Sequence, residues 1–275
     1  MSRAGDGATY IVGGGIAGFA SAVYLIRDGG LSGEQICIFE DLKVAGGSLD
    51  ASGAAQSGYV MRGGRMFEAH YVCTYDLLSG IPSYENPDIS ARDDIFNFTR
   101  EASWRATARL VDRDAKPLDV TSMGFDNGDR LALLRLLLRS EDSLGARRVD
   151  DVFPPHFFTT NFWLMWATMF SFQPWHSGAE MRRYLLRFIH LFPSITDLSG
   201  IYHTRNNQYH SMVLPIQKWL QERGVKFENE TRITDMAFRA SSDRYRVATL
   251  KVLRKGEESE IALNEKDLVI VPMGR

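Results

Sequence analysis

The chain has 275 residues, 44% hydrophobic and 24% charged, a composition typical of a soluble globular protein with one large domain or two smaller ones. Its formal net charge is -2 and no long run of one sign occurs, which argues against nucleic acid as a partner. Two cysteines are too few for a disulfide framework or a zinc set, and we predict no metal site. With no signal-peptide pattern and no apolar run of bilayer length, we predict a cytoplasmic protein.

A strand, a glycine turn, a helix and a second strand follow one another between Thr9 and Glu40. The apolar segments Tyr10–Val12 and Gln35–Phe39 predict the strands, and Ile16–Arg27 predicts the helix between them. This order predicts an α/β fold of Rossmann type, with a parallel sheet flanked by helices.

The turn contains three glycines spaced as G-x-G-x-x-G. Gly13 permits a tight turn, Gly15 lets a pyrophosphate approach the backbone, and Gly18 lets the helix pack closely on the sheet. Ile16 and Ala17 begin the helix, whose N-terminal N–H groups and positive dipole end favour a phosphate. The pattern predicts a dinucleotide site, and the alternative is a glycine-rich turn in an ordinary α/β domain.

Glu40 follows the second strand, at about the distance from Gly18 at which an acid receives a pair of ribose hydroxyls. An acid at this place favours an unphosphorylated ribose, as in FAD or NAD, over NADP. Two later glycine pairs can bring backbone N–H groups and guanidinium groups to a diphosphate, the alternative being loop turns with surface arginines. These loops contain Gly46, Gly47, Ser48, Leu49, Arg62, Gly63, Gly64 and Arg65.

Three segments downstream predict the secondary structure of the middle of the chain. Ile95–Leu110 and Leu118–Val120 predict strands of a β-subdomain. Arg130–Ser140 predicts a helix that begins after Asn127-Gly128-Asp129. We favour packing of its leucine stripe on the core, while its arginines keep open a contact with a membrane surface or a partner. The stripe contains Leu131, Leu134, Leu137 and Leu138, and the arginines are Arg130, Arg135 and Arg139.

Aromatic residues and methionines crowd Phe153–Phe192, with no charge between Asp151 and Glu180. Pro174 should divide the segment into two helices. One interpretation is a bulky helical core, and the other is the wall of an apolar cavity for an acyl chain.

The last part of the chain predicts strands that return to the sheet. Gly224–Phe238 predicts a turn and a strand pair, Tyr245–Leu253 and Glu258–Leu263 a hairpin about Lys255-Gly256, and Asp267–Pro272 a final buried strand.

The segments GGGIAG, AGGSLD and RGGRMFEAHYVCTYDLLSGIPS resemble the oleate hydratase family, also named the myosin-cross-reactive antigen family. Asn161–Ile195 and Asn207–Phe227 extend the resemblance over nearly the whole chain. It implies an FAD-dependent hydratase that adds water to oleate-type unsaturated fatty acids to give hydroxy fatty acids. Family members continue for a comparable length, so we expect this chain to be the N-terminal half.

The resemblance also implies site residues. Many members carry a catalytic glutamate after the second arginine of the RGGR loop; Met66 holds that position here, and Glu68 follows two residues later. Glu68 is the candidate proton donor or else a surface acid. In the family's Tyr-Asn-Gln-Tyr segment the first tyrosine is Asn206 and the second is Tyr209, the candidate catalytic phenol. Met66 is also assigned to the cofactor site, and Ile233 to the neighbourhood of the adenine.

Hydration needs a close acid and a group that orients water, and burial raises the pKa of a carboxyl group so that it can serve as that acid.

The expected domains are 1–85 and 206–275, two parts of an FAD-binding domain, with 86–205 as a substrate-side insertion that contains the β-subdomain and aromatic helices. A flavin-dependent oxidoreductase, amine-oxidase-like or desaturase-like, and an inactive FAD- and fatty-acid-binding fragment are the alternatives. A homodimer and peripheral membrane contact stay open.

Overall fold

The structure, a computed structural model, describes residues 7–49, 51–61, 66–101, 105–240 and 244–273. No helix within these ranges is long and apolar enough to cross a membrane. In chain order the helices and strands are β1 (Thr9–Val12), α1 (Ile16–Arg27), β2 (Ile36–Phe39), β3 (Ala51–Ala54), β4 (Gly58–Met61), α2 (Val72–Ser79), α3 (Ala91–Glu101), α4 (Asn127–Leu138), α5 (Glu141–Leu144), α6 (Asn161–Phe170), α7 (Gly178–Phe188), α8 (Leu214–Gln221), β5 (Lys226–Glu228), β6 (Thr231–Ala240), β7 (Tyr245–Arg254), β8 (Glu257–Ala262) and β9 (Leu268–Ile270).

The chain divides into two compact units. The first unit consists of Met1–Ala102 and Tyr202–Arg275, and the second of Ser103–Ile201. The second unit falls within residues 86–205, which the sequence assigns to the substrate-side insertion, whereas α3 belongs to the first unit.

A parallel sheet organises the first unit, with the strand order β5-β2-β1-β9. β1 and β2 are paired in parallel from Thr9 opposite Ile36 onward, and α1 connects them. This confirms the predicted Rossmann-like α/β class. Because parallel strands end at the same edge of a sheet, Gly13 and Glu40, which follow β1 and β2, lie at one edge, where such folds bind ligands.

The core of the first unit fixes α1 against this sheet. Ile11 and Ile38 of the strands are fully buried, as is Phe19 of α1. Leu78 of α2 and Ile216 of α8 join the same apolar cluster. Each such side chain contributes about 1.5–3 kcal/mol by burial, so the start of α1 is held firmly at the edge of the sheet.

A second sheet in this unit is antiparallel, with the order β6-β7-β8. The hairpin predicted about Lys255-Gly256 is confirmed, and both residues have positive φ, 50° and 88°, as a type I′ hairpin turn requires. The final strand also forms, parallel to β1. Its first residue, Leu268, is exposed, so the prediction of a buried strand is wrong at that end.

The strands predicted over Ile95–Leu110 and Leu118–Val120 are wrong. α3 occupies the start of this stretch, with Asp93 and Asp94 in its first turn, where acids favour a helix. Within the described residues 105–120, pairing is limited to a bridge between Val111 and Pro117. The described part of the segment is therefore helix followed by loop, and its apolar residues do not form the predicted β-subdomain.

Aromatic side chains form the core of the second unit. Phe157, Phe162 and Trp166 are buried, and the rings of Phe153 and Phe157 stack with centroids 3.8 Å apart. α6 and α7 lie on either side of Pro174, as predicted. A cleft bounded in part by Trp166 holds about 20 Å³, room for about one water molecule. The buried rings form the packed core that one of the two interpretations predicts, while the wall of an acyl-chain cavity stays a prediction.

α4 forms as predicted but turns a different face to the core. Asp126 Oδ1 accepts from the Asp129 amide at 2.8 Å and Asp129 Oδ2 accepts from the Asp126 amide at 3.0 Å, a reciprocal cap that starts the helix earlier than expected. Ala132 and Leu136 form the buried side. The prediction that the leucine stripe packs on the core is therefore wrong for its exposed members, which are Leu131, Leu134 and Leu138.

Candidate functional site

The glycine turn after β1 requires glycine at Gly13 for its backbone conformation and at Gly18 for space. Gly13 has a φ of +114°, which L residues rarely adopt, and its N–H donates to the Phe39 carbonyl oxygen at 2.8 Å. A Cβ at Gly18 would lie 2.1 Å from the Gly13 carbonyl oxygen. A side chain at Gly18 would thus push α1 away from the turn, which gives the predicted roles a geometric basis.

The N-terminus of α1 emerges directly from this turn. Gly15 is the N-cap, no side chain caps the helix, and its first turn contains no acid. The first N–H groups of a helix lack partners within the helix and carry its positive dipole end. Ile16 and Ala17 occupy this first turn, and Ala17 is exposed. The helix start can therefore bind an anion.

The second glycine pair lies against the first turn. The Gly46 amide donates to the Gly14 carbonyl oxygen at 2.8 Å, and Gly15 and Gly46 form a parallel bridge. Gly47 has a φ of +57°, and a Cβ on it would lie 3.2 Å from the Gly15 Cα. Gly13–Gly15 and Gly46–Gly47 thus form a surface of bare backbone, termed here the glycine cradle, which a diphosphate can approach closely.

Glu40 is buried behind the cradle and held by backbone groups. Its Oε2 accepts from the Gly14 amide and its Oε1 from the Leu42 amide, both at 2.9 Å. A carboxylate oxygen has a second lone pair, so both can still accept ribose hydroxyls. The Glu40 carbonyl oxygen accepts from the Thr231 amide at 2.9 Å, at the start of β6. Ile233, the predicted adenine neighbour, is half-buried on the same strand.

An apolar cavity of about 420 Å³ opens beside the glycine cradle. Arg62, Gly63, Gly64 and Arg65, which were also assigned to the cofactor, lie outside the described residues. The structure brings five of the predicted cofactor residues together in the wall of this cavity: Ile16, Ala17, Ser48, Leu49 and Met66.

One wall of this cavity was missed by the sequence analysis. Tyr71, Thr74 and Leu77 line it from the segment that begins α2, and Cys73 joins them. Residues three apart share one face of a helix, so the helical period of this segment was the signal that could have identified them. The wall was missed because the segment was treated only as an extension of the arginine loop.

Glu68 is a buried carboxyl group in a cluster of phenols. It is 1% exposed, so the alternative of a surface acid is wrong. Its Oε2 accepts from the His70 backbone N–H at 2.7 Å and lies 3.0 Å from His70 Nδ1. The nearby Tyr75 hydroxyl is buried without a hydrogen-bond partner among the described residues. Burial raises the pKa of Tyr75, and the neighbouring Tyr202 phenol and Glu68 carboxylate raise it further.

Glu68 follows two residues of the cavity wall directly in the chain. Met66 and Phe67 line the cavity. Phe67 is fixed by two backbone hydrogen bonds with Tyr202, at 3.2 and 2.8 Å. The backbone next to Glu68 is therefore fixed, and Glu68 belongs to the same unit as the cradle.

Tyr209 lies on the cradle side of the site. It begins a π-helical turn, Tyr209–Val213, directly before α8, and such turns are frequent at functional sites. Its ring packs against Gly46, where an added Cβ would lie 3.4 Å from the ring's Cδ2. Gln208, the preceding residue, lines the cavity. The phenol is thus placed where the cradle meets the cavity.

The arrangement has three chemical capacities within one unit. The cradle and the start of α1 can bind a diphosphate, and Glu40 can bind a ribose. The cavity can hold an apolar ring system or chain, and the buried Glu68 follows its wall residue Phe67 in the chain.

Solved structures share the fold at low sequence identity. An oxidoreductase from Methanosarcina mazei is 12% identical, matches 97% of this chain and 58% of its own, and has a TM-score of 0.52. A putrescine oxidase variant with redesigned cofactor binding is 14% identical, matches 94% of this chain and 56% of its own, and has a TM-score of 0.51. At such identities the likeness concerns the fold alone.

Sequence relatives are much closer. An oleate hydratase of Streptococcus pyogenes serotype M49 is 38% identical over 96% of this chain, and a linoleate hydratase of Lactiplantibacillus plantarum is 34% identical over 96%. The match covers 45% and 50% of those proteins, so the chain spans about half the length of the curated relatives it matches. The MCRA family model matches residues 6–275. The chain therefore belongs to the MCRA family.

Proposed function

We propose that this chain is the FAD-binding part of a hydratase that adds water to a double bond of long-chain unsaturated fatty acids. The observation that carries the proposal is the apolar cavity that opens at the glycine cradle within one unit. Two relatives that match 96% of the chain are an oleate hydratase and a linoleate hydratase, which supports this substrate class.

The described residues fit FAD. The cradle glycines carry no side chains, which leaves room for a diphosphate, and a Cβ at Gly47 would make a tight contact of 3.2 Å with the Gly15 Cα. In the proposal, Glu40 binds the adenosine ribose, Ile233 lies near the adenine, and Ser48 and Leu49 face the flavin end from the cavity. The Arg62–Arg65 loop would add charge. Bound FAD is expected to complete the substrate site, since hydration leaves the oxidation state of the reactants unchanged.

The proposal assigns the proton transfer to this chain's own side chains. An isolated alkene is a poor base, so an acid must donate at close range while another group orients the attacking water. Glu68 is the proposed acid, because it is buried near phenols and follows the wall residue Phe67 in the chain. Tyr209 is the proposed orienting group at the junction of cradle and cavity. Met66 places a thioether at the wall where many relatives have a carboxyl group.

Two measurements test the proposal in order. Gel filtration after incubation with FAD should give a yellow protein, and the Gly47→Ala variant should stay colourless. The protein with FAD is then incubated with oleate in water labelled with heavy oxygen, under oxidising and reducing conditions. Labelled hydroxy fatty acid is expected. Flavin binding without labelled product would favour the inactive binding fragment, and stoichiometric flavin reduction by a substrate would favour the oxidoreductase. A colourless wild-type protein would overturn the cofactor assignment.

The homodimer and the membrane contact stay predictions of their own. Sedimentation of the FAD-loaded protein tests the dimer, and the surface chemistry of α4 bears on the membrane.

A further inference from the structure

α4 turns three leucines to the outside on a single face. Leu131, Leu134 and Leu138 are 46%, 53% and 77% exposed. Their spacing, at about 100° per residue, keeps them within about 60° of one another around the helix. This group, the leucine face, points away from the buried Ala132 and Leu136. Grouped apolar side chains on a surface mark an interaction site more often than scattered ones do.

Uncompensated positive charge borders the leucine face. By the same helical geometry, Arg130 lies on one side of the leucines and Arg135 on the other, and Arg139 follows at the end of the helix. Among the residues that the structure describes, none of these three arginines has an ion-pair partner. Nearby Arg148 and Arg183 are paired, with Asp150 and Glu141. The cations beside the leucine face are thus free to meet an external anion.

The helix does not need the leucine face in order to fold. Leu136 is fully buried, and the reciprocal cap of Asp126 and Asp129 satisfies backbone groups at its start. His156 Nδ1 lies 2.7 Å from Asp129 Oδ2 and ties the cap to the rest of the second unit. Substitution of the exposed leucines should therefore change surface binding and leave the fold intact.

We propose that this face of α4 binds an anionic lipid surface. Leucines bordered by guanidinium groups match a bilayer interface, in which acyl chains lie below a layer of phosphates. Each arginine near an anionic membrane strengthens binding about fivefold, and salt weakens the attraction. A protein partner would need matching acids on both sides of an apolar ridge, whereas lipid phosphates surround inserted side chains on every side. The inference is independent of the proposed hydration.

Vesicle co-sedimentation tests the proposal with the full chain. Vesicles of phosphatidylcholine with phosphatidylglycerol are compared with vesicles of phosphatidylcholine alone, at low and high salt. The first variant carries Leu131→Ser, Leu134→Ser and Leu138→Ser. The second carries Arg130→Gln and Arg135→Gln. Matched controls are Leu164→Ser with Leu186→Ser, which removes leucines of comparable exposure in the same unit, and Arg113→Gln, which removes an exposed arginine elsewhere.

We expect binding to the anionic vesicles that weakens with salt. The leucine variant should lose at least about tenfold in binding, and the arginine variant about 25-fold, while the controls bind like the wild type. Circular dichroism and melting should be unchanged in all variants. Equal binding to neutral vesicles, equal binding by the leucine variant, or no vesicle binding would overturn the proposal. Self-association abolished by the leucine variant, without vesicle binding, would instead assign this face to a second copy of the chain.

Discussion

The Gly14 amide donates a buried hydrogen bond to Glu40 Oε2 at 2.9 Å, and so joins the glycine turn to the acid at the end of β2. The residue proposed to bind ribose also holds the shape of the cradle. The second oxygen of the same carboxylate accepts from the Leu42 amide at 2.9 Å. Cofactor affinity and folding stability should therefore change together when Glu40 is altered.

Glu40→Ala should destabilise the protein and weaken FAD binding. The substitution leaves the buried Gly14 amide and the partly buried Leu42 amide without their acceptor, which costs about 1–3 kcal/mol of unfolding free energy. Asp41→Ala is the matched control, because Asp41 is exposed and its ion pair with Arg232 contributes about 0–1 kcal/mol. Urea denaturation with and without FAD measures both effects. Full FAD affinity in Glu40→Ala would remove Glu40 from the cofactor site.

A comparison of Gly47 with Gly30 distinguishes the cost of backbone strain from the effect of a steric contact in the cradle. Gly47 and Gly30 have similar φ values, +57° and +69°, so alanine costs about 1 kcal/mol at either position. At Gly47 the new Cβ meets the Gly15 Cα at 3.2 Å, whereas at Gly30 nothing lies within 4 Å. Gly47→Ala should therefore abolish FAD binding and Gly30→Ala should retain it, at similar melting temperatures. Equal affinities in an FAD titration would contradict the cradle.

The sequence predicted those parts of the site that are determined by residues close to one another in the chain. The spacing of Gly13, Gly15 and Gly18 and the acid after the second strand follow from a single strand-helix-strand unit, and α1 has the predicted bounds. The bridge between Gly15 and Gly46 was not predicted, because it depends on how two loops far apart in the chain fold together. Glu68 was similarly ambiguous, since spacing alone does not determine burial.

The same limit explains the errors outside the site. The leucines of α4 have helical spacing, but two faces of that helix contain leucine, and Ala132 and Leu136 are the apolar residues that α4 buries. Composition could not decide between these faces. In the segment before the second unit, apolar residues suited a strand, while the acids that start α3 favoured the helix that forms.

Met66→Glu should raise hydration activity. The substitution puts a carboxyl group in the cavity wall, at the position where many family members have one, and a positioned acid contributes about 10²–10⁴ in rate. The measurement is labelled-water incorporation into oleate by the FAD-loaded protein. Glu68→Gln is the companion variant. If Glu68 is the native donor, Glu68→Gln should abolish the activity of the wild-type protein. The double variant with Met66→Glu and Glu68→Gln should stay active. Loss of FAD binding in either variant, checked by titration, would identify a structural effect. Unchanged turnover in both would exclude the two positions as donors.

The two cysteines should differ in reactivity, and FAD should protect only one of them. Cys73 is exposed and lines the cavity, so it should react quickly with iodoacetamide and slowly once FAD is bound. Burial raises the pKa of the Cys37 thiol from 9.0 to about 11, so it should stay protonated and slow near neutral pH.

The raised pKa of Cys37 also predicts a stability change at high pH. Above pH 9 the unfolded chain loses the thiol proton first, so stability should fall as the pH rises from about 9 to about 11. Cys37→Ser should reduce this fall and Cys73→Ser should not, as measured by urea denaturation across that range.

Mass spectrometry after timed alkylation, with and without FAD, measures the reactivities of the two cysteines. If FAD protects Cys37 and Cys73 equally, the protection reflects global stabilisation, and the cavity beside the glycine cradle is not where the cofactor lies.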